Sequence, residues 1–352
     1  MDIVDQQILQ CLMLDGRAPM RRIAEVVGVS EQTATRRYRV MREAGVLRVL
    51  VTEAAASAIH SLWLLRLQCR PAAAAHLGNV LAARDDVSWV ALHSGGAELM
   101  CTTTLPAEAE CGTGVLPRIS HTSEVLSFTT HLVLHSYSGG PAEWSGFEEP
   151  LSEDAKRDLL EGRDPHRRKE TYSPVRLEDR ALLEELRRDG RATASALSRT
   201  LNWPLSRVRG RLQALLDSGA VTVDVDVMLE AFGYRVSATL LVQVSPDRIV
   251  TVCEALSTHQ QTSWVAAVTG SANIVAAVTC RDSIELFSYV TEQLGSLPGV
   301  IHVEVVPLLS RLKQAATRVA GGRLVPSSHP LRKAGDRRGG DEVDVVAAAD
   351  IY

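Results

Sequence analysis

Apolar positions in the first 45 residues recur at helical spacing, in short blocks divided by turn residues. Val4, Ile8, Leu9 and Leu12 make one stripe, which stops at Asp15-Gly16-Arg17; Ile23, Val26 and Val27 make a second after Pro19. Gly28 supplies a tight turn, because glycine enters positive φ without steric cost. Ser30 is placed to cap a third helix from Glu31 to about Glu43, closed by Ala44-Gly45. On that helix Ala34, Tyr38 and Met41 face inward. Gln32, Arg36 and Arg39 point away, with Thr33, Thr35 and Arg37 on the flanks. Three short helices with a basic third one form a helix-turn-helix, whose outward face suits base edges and phosphates in the major groove.

The pattern occurs twice. An offset of 174 residues aligns Asp5, Leu9, Leu12, Asp15-Gly16-Arg17-Ala18, Arg37, Gly45, Val49 and Val51 with Asp179, Leu183, Leu186, Asp189-Gly190-Arg191-Ala192, Arg211, Gly219, Val223 and Val225. An offset of 175 then pairs Ser88-Trp89-Val90-Ala91 with Ser263-Trp264-Val265-Ala266, and Gly95 with Gly270. The second helix-turn-helix is worn. Asn202 stands for the turn glycine, Pro204 for the capping serine, and Gly210 interrupts the helix, although Ser206, Arg207, Arg209 and Arg211 keep it polar and basic.

After each helix-turn-helix comes a linking strand (46–51 and 221–227) and then a β-α-β-β-α-β pattern, clearest in the second copy. There strand 239–244 leads through Pro246 into helix 247–257, strands 263–269 and 273–279 meet at Gly270-Ser271, and helix 283–294 precedes a last strand through Val306. Two helices on one face of a four-stranded antiparallel sheet make a ferredoxin-like unit. Its other sheet face stays apolar and needs a cover, which the second copy offers as a pseudo-dimer. The fold class expected is thus α+β, with two winged helix-turn-helix domains alternating with two ferredoxin-like sensor domains. The boundaries are 1–52 and 57–138, a Gly-, Pro- and charge-rich linker 139–174 with a short helix near 153–160, then 175–227 and 233–312. The polar tail 319–352 reads as disordered.

Composition adds limits. The net charge of −4 does not favour nucleic acid, but residues 1–50 carry eight arginines against six acids and residues 175–225 nine against seven. No apolar run nears bilayer length and the start is no signal peptide, so a cytoplasmic protein without membrane partners is expected. The six cysteines have no metal-type spacing and sit mostly in apolar runs, where a reduced thiol packs as a small hydrophobe. Neither metal nor cofactor is expected.

In order, and twice, these pieces resemble the Lrp/AsnC (feast/famine) family of one-component transcription regulators. The resemblance rests on Asp2, Asp5 and Ile8-Leu9, on Asp15-Gly16-Arg17, on Gly28-Val29-Ser30 before an Arg-rich helix closing at Ala44-Gly45-Val46, and on Gly270-Ser271-Ala272-Asn273 and Leu297-Pro298-Gly299-Val300. It implies a bacterial regulator of double-stranded DNA whose sensor (RAM) domains pair sheet to sheet. An amino acid or related metabolite would bind near the glycine hairpins, and chains would assemble into a homo-oligomer. Candidate effector contacts are Ser94, Gly95, Gly96 and Glu98 in one hairpin and Thr269, Gly270, Ser271 and Asn273 in the other. The family's usual hairpin Asp is Glu98 or Asn273 here, and Thr122-Ser123-Glu124-Val125 replaces Leu-Pro-Gly-Val in copy one. Alternatives are a ligand-binding module without DNA binding and an enzyme similar to the siroheme decarboxylases. Against the enzyme, the matching hairpin segments hold one histidine, His93, and neither arginine nor tyrosine.

Overall fold

The computed structural model describes residues 1–53, 60–106, 119, 122–138, 144, 146–161, 175–314 and 317–325. Its strands in chain order are β1 (Leu47–Glu53), β2 (His60–Cys69), β3 (Val87–His93), β4 (Glu98–Pro106), β5 (Val125–Ser138), β6 (Val221–Val227), β7 (Val236–Val244), β8 (Thr262–Val268), β9 (Ile274–Cys280), β10 (Val300–Gln314), β11 (Thr317–Ala320) and β12 (Arg323–Val325).

The first three helices form where the apolar stripes lie. Helix Ile3–Leu14 starts in a reciprocal capping box between Asp2 and Asp5, helix Met20–Val27 ends at Gly28 with φ 75°, and helix Glu31–Glu43 is capped by the Ser30 hydroxyl, which accepts from Thr33 N at 3.1 Å. Ile8, Leu9, Leu12, Ile23, Ala34 and Met41 close the core. The second set is helices Arg180–Arg188, Ala194–Leu201 and Leu205–Asp217 around Leu182, Leu186, Leu197, Val208 and Leu215. Asn202 takes the left-handed turn at φ 52° and Pro204 makes no cap bond. The third helix still runs on through Gly210.

The two linking strands pair with each other, β1 antiparallel to β6, with Leu50 opposite Asp224. Those two positions are equivalent under the 174-residue repeat, so a pseudo-twofold axis passes between them. The sensor units join more closely than face packing alone. β5 pairs with β2 through Leu132 and then with β8 from Val133 onward; β10 pairs with β7 through Pro307 and then with β3 from Leu308 onward. Each long strand thus belongs to both units, and the order β10-β3-β4-β2-β5-β8-β9-β7 closes on itself through β7–β10. Its interior holds Leu64, Met100, Leu241, Ala266, Val268, Val275 and Val306. The helix-side faces are filled by Leu65, Leu67, Leu99 and Cys101 in one unit and by Leu240, Val242, Val265 and Ile274 in the other. The expected pseudo-dimer is present, with the last strand extended beyond the expected Val306 because its second half serves the neighbouring unit.

Two segments differ from expectation. Part of the linker is core: Trp144, Phe147, Leu151 and Leu159 are buried against the first helix-turn-helix, and helix Glu153–Leu160 holds Arg22 through the Asp158 carbonyl. Polar composition hid these four apolar anchors. The beginning of the expected tail is a hairpin, β11–β12, whose Val319 and Leu324 pack on Met228 while Leu324 N donates to Gly45 O at 2.8 Å. Residues 326–352 lie outside the described residues, as does Cys111. The other five cysteines are buried free thiols, and burial pushes those of Cys11, Cys101, Cys253 and Cys280 up to about 12. Among the described residues no helix is long and apolar enough to cross a membrane, and no cluster of three His, Cys, Asp or Glu could hold a metal.

Candidate nucleic-acid interface

The exposed side of helix Glu31–Glu43 carries Gln32, Arg36 and Arg39, with Thr33 and Thr35 half-buried beside them. Ser30 and Thr33 share a hydroxyl contact of 2.8 Å at the helix start. Arg36 and Arg39 have no intramolecular ion pair among the described residues, so their guanidiniums are available to an outside partner.

Arg37 is placed differently from its expected flank role. Its Nη1 donates to Asp2 at 2.7 and 2.8 Å and to Asp5 at 2.9 Å, tying the third helix to the first. The repeat does the same. Arg211 binds Asp179 through two bonds, at 2.7 and 2.5 Å, and that carboxylate is 1% exposed. Both arginines were candidate phosphate contacts, and both hold the bundle instead, because a buried carboxylate at the first helix start needs a cation. Arg207 is also engaged, by Glu178 at 3.0 Å and by stacking 4.2 Å over Trp203. Ser206 and Arg209 remain exposed. The second copy therefore offers less free cationic surface than the first.

The repeated Asp-Gly-Arg-Ala does more than end a helix. Arg17 donates to the carbonyls of Gly190 and Ala192, the latter at 3.2 Å, and Arg191 donates to those of Gly16 and Ala18 at 2.6 and 2.7 Å. Each loop is held in shape from within: Asp15 accepts from Arg17 N at 2.9 Å and Asp189 from Arg191 N at 3.0 Å. The glycines allow the approach. A Cβ at Gly190 would lie 2.7 Å from the Leu50 backbone, and one at Gly16 would lie 2.6 Å from Val223. This reciprocal clasp fixes one recognition helix relative to the other. The only signal for it in the sequence was that the same four residues recur.

In the sensor, the hairpin residues stand at two pseudo-equivalent places and do not converge on one cavity. Ser94, Gly95 and Gly96 all have positive φ at the β3–β4 turn; Gly270 does so at the β8–β9 turn, next to exposed Ser271. Thr269 is bound to β5: its N donates to Leu132 O at 3.0 Å and its hydroxyl accepts from Leu132 N at 2.9 Å. Two of the candidate effector contacts, Asn273 and Glu98, turn inward. Asn273 pairs both amide atoms with the Val244 backbone at 3.0 and 2.8 Å. Glu98, 2% exposed, binds Arg66, which also binds Glu304 at 2.5 and 2.8 Å, and Ser94 donates to it at 3.1 Å. Those carboxylates raise the Arg66 guanidinium further, against the cost of burial. Buried His93 meets Thr239 at 3.2 Å, and desolvation pulls it down to about 4. Sequence reading missed Arg66 because it lies on another strand, 32 residues from Glu98.

Three family models match: an AsnC-type helix-turn-helix domain at residues 1–42, a winged helix-turn-helix DNA-binding domain at 179–222, and an Lrp/AsnC ligand binding domain at 237–317. The uncharacterized HTH-type transcriptional regulator PH0140 of Pyrococcus horikoshii is 31% identical over 157 residues, 44% of this chain and 97% of that protein. The chain belongs to the Lrp/AsnC family. A second relative, the uncharacterized HTH-type transcriptional regulator PYRAB01370 of Pyrococcus abyssi, is 32% identical over 143 residues, 40% of this chain and 90% of that protein. These two relatives are archaeal, and each matches under half of this chain while nearly all of its own length is covered. That ratio fits a chain built as two family units in tandem. Among solved structures, the siroheme decarboxylase NirDL covers 89% of this chain and 93% of its own at a TM-score of 0.56 and 14% identity, a likeness of fold alone.

Proposed function

We propose that this Lrp/AsnC protein is a DNA-binding transcription regulator with its small-molecule sensor in the same chain, two helix-turn-helix domains alternating with two ferredoxin-like sensor domains. The observation that carries the reading is the pair of helix-turn-helix modules clasped about one pseudo-twofold axis, with Arg36 and Arg39 exposed on the first and in no ion pair among the described residues. Such a pair presents two recognition helices to two half-sites. Ser30, Gln32, Thr33, Thr35, Arg36 and Arg39 form the stricter reader; Ser206, Arg207 and Arg209 add mainly phosphate contact. The effector is an amino acid or related metabolite, and at the exposed turns Ser94–Gly96 and Thr269–Ser271 the backbone N–H groups of Gly95, Gly96, Gly270 and Ser271 and the Ser271 hydroxyl suit its carboxylate. Chains assemble further, as dimers or tetramers of pseudo-dimers.

Selection from random duplexes tests the reading. It should return one strict half-site beside a degenerate one, and Arg36→Ala should erase the strict half. A protein that retards no duplex at low salt, or an Arg36→Ala variant that selects the same site, refutes it. Mass spectrometry of co-purified ligand identifies the effector.

One observation favours the enzyme reading. Arg66 and Arg311, brought in by β2 and β10, act on the His93 ring, so this region is not as poor in cations as its hairpin segments suggested. The charge balance opposes it. Those two guanidiniums face three carboxylates, Glu98, Glu304 and Glu230, leaving no positive excess for the acid groups of a ligand. The curated relatives, moreover, are named transcriptional regulators.

A further inference from the structure

A cleft of about 480 Å³ opens where four parts of the chain meet. The end of the first recognition helix contributes Arg42 and Glu43, strand β1 Arg48, the first helix of the second helix-turn-helix Arg188 and Asp189, and the hairpin continuing sensor strand β10 Arg323. Four guanidiniums thus face two carboxylates. Some are engaged: Arg42 meets Asp189 at 3.1 Å, Arg48 donates to the Arg188 carbonyl, and Arg188 reaches Glu184 and Glu185 at 2.9 and 2.7 Å on its own helix. Arg323 is exposed with no partner among the described residues, and burial of Arg48 lowers its guanidinium from the ordinary value. Close by, the Tyr38 hydroxyl is buried, and burial raises it from its ordinary value against the opposing pull of Arg191 and Arg42.

The duplication supplies an internal control. Under the 174-residue repeat, Arg42, Arg48 and Arg188 correspond to Leu216, Thr222 and Leu14, while Glu43 and Asp189 correspond to Asp217 and Asp15. The acids are kept at both places and the arginines occur at one. Of the corresponding residues at the pseudo-equivalent place only the two acids are charged, whereas the lining of the cleft sets four guanidiniums against two carboxylates. A structural need of the helix-turn-helix pair would apply on both sides of the axis; this one does not.

We infer that the cleft binds a small polyanion, a free metabolite bearing phosphate groups, in addition to any effector at the sensor hairpins. Its volume lies within the range of small-molecule sites, and guanidinium forks suit phosphate oxygens. A DNA strand is the other source of phosphate, but the cleft lies at the C-terminal end of the recognition helix, away from its capped N-terminal turn, and the sensor hairpin forms one wall. Because the walls come from both helix-turn-helix modules and from β10, an occupant would bridge all three. Binding itself does not depend on the regulator reading, whereas a change in DNA affinity on binding rests on it.

Calorimetry with inorganic pyrophosphate, free of magnesium and at low salt, tests this on the full chain. One equivalent per chain is expected. Arg323→Ala, which removes no internal bond, should weaken binding about tenfold, and Arg48→Thr, which installs the residue of the other copy, should weaken it at least as much. No heat with wild-type protein, two equivalents per chain, or unchanged affinity in both variants overturns the inference. So does a variant that binds pyrophosphate normally but loses affinity for random duplex with a shallower salt dependence, because the arginines would then serve the DNA backbone.

Discussion

Replacing Arg191 with alanine removes half of the clasp between the two helix-turn-helix modules. The guanidinium makes two bonds to backbone carbonyls, at 2.6 and 2.7 Å, and lies 5.4 Å over the Tyr38 ring. A hydrogen bond with one charged partner contributes about 1.5–3 kcal/mol, and a cation–π contact about 0.5 kcal/mol when exposed to about 2 kcal/mol when desolvated, as on the buried Tyr38 ring. These terms are not additive, and truncation also leaves the Gly16 and Ala18 carbonyls without this donor, so Arg191→Ala should cost roughly 3 kcal/mol of module docking. The loss is one of docking before it is one of folding. Amide exchange in β1 and β6 should accelerate most, and denaturant unfolding should lose its single transition. Arg17→Ala should do the same. The double variant should cost less than the sum, because the first change already parts the interface. Binding to a duplex with two half-sites should weaken more than binding to an isolated half-site. If Arg191→Ala shifts stability by under about 0.5 kcal/mol and leaves ribbon exchange as in wild type, the clasp does not hold the modules together.

The other predictions separate reading from scaffolding. Arg36→Ala should lose specific DNA binding with stability unchanged. Arg37→Ala should cost about 1 kcal/mol of stability, as befits its partly exposed pair. Arg211→Ala should cost about 3 kcal/mol, since it strands an Asp179 that is 1% exposed. Pro204→Ser should restore a cap worth about 1 kcal/mol and sharpen the degenerate half-site. Burial pushes the Asp226 carboxyl, whose Oδ2 lacks a partner, from 3.8 up to about 8. The folded chain then holds a proton that the unfolded chain releases, so stability should fall as pH rises between those values, and Asp226→Asn should flatten that fall in pH-dependent unfolding curves.

What could be read from the sequence was what depends on neighbours along it. Helix stripes, the Gly28 turn, the Ser30 cap, the Asn202 substitute and the glycine hairpins are local, and their residues carry the signal directly. The pseudo-dimer was legible because an apolar sheet face needs a cover and the repeat provides one. The roles of Arg37 and Arg211 were not, because helical spacing places a side chain on a face without saying which carboxylate meets it. Arg37 lies 35 residues from Asp2, and Arg66 lies 238 residues from Glu304. Similarly, strands β5 and β10 change partner midway, which period-two alternation cannot register, since the same faces stay inward throughout.

The distribution of differences between the two copies follows from geometry. At the pseudo-twofold axis each residue meets the equivalent stretch of the other copy: Arg17 meets Gly190 and Ala192 while Arg191 meets Gly16 and Ala18. Changing one loop there spoils both halves of a reciprocal contact, and the four residues are identical in the two copies. Each Arg–Asp tie, Arg37 with Asp5 and Arg211 with Asp179, likewise lies within one bundle that both copies need. Away from the axis, a substitution touches one copy alone. There Ser30 faces Pro204 in the alignment and Glu98 faces Asn273, while of the residues that do reach the other copy Arg66 faces Leu241 and Arg48 faces Thr222. In a homodimer every such change would occur twice, and a buried ion pair or an arginine-lined cleft would be installed on both sides. Fusion removes that constraint. One chain can then keep a symmetric frame for two recognition helices while assigning strict reading, the polar interior cluster and the cationic cleft to one side only.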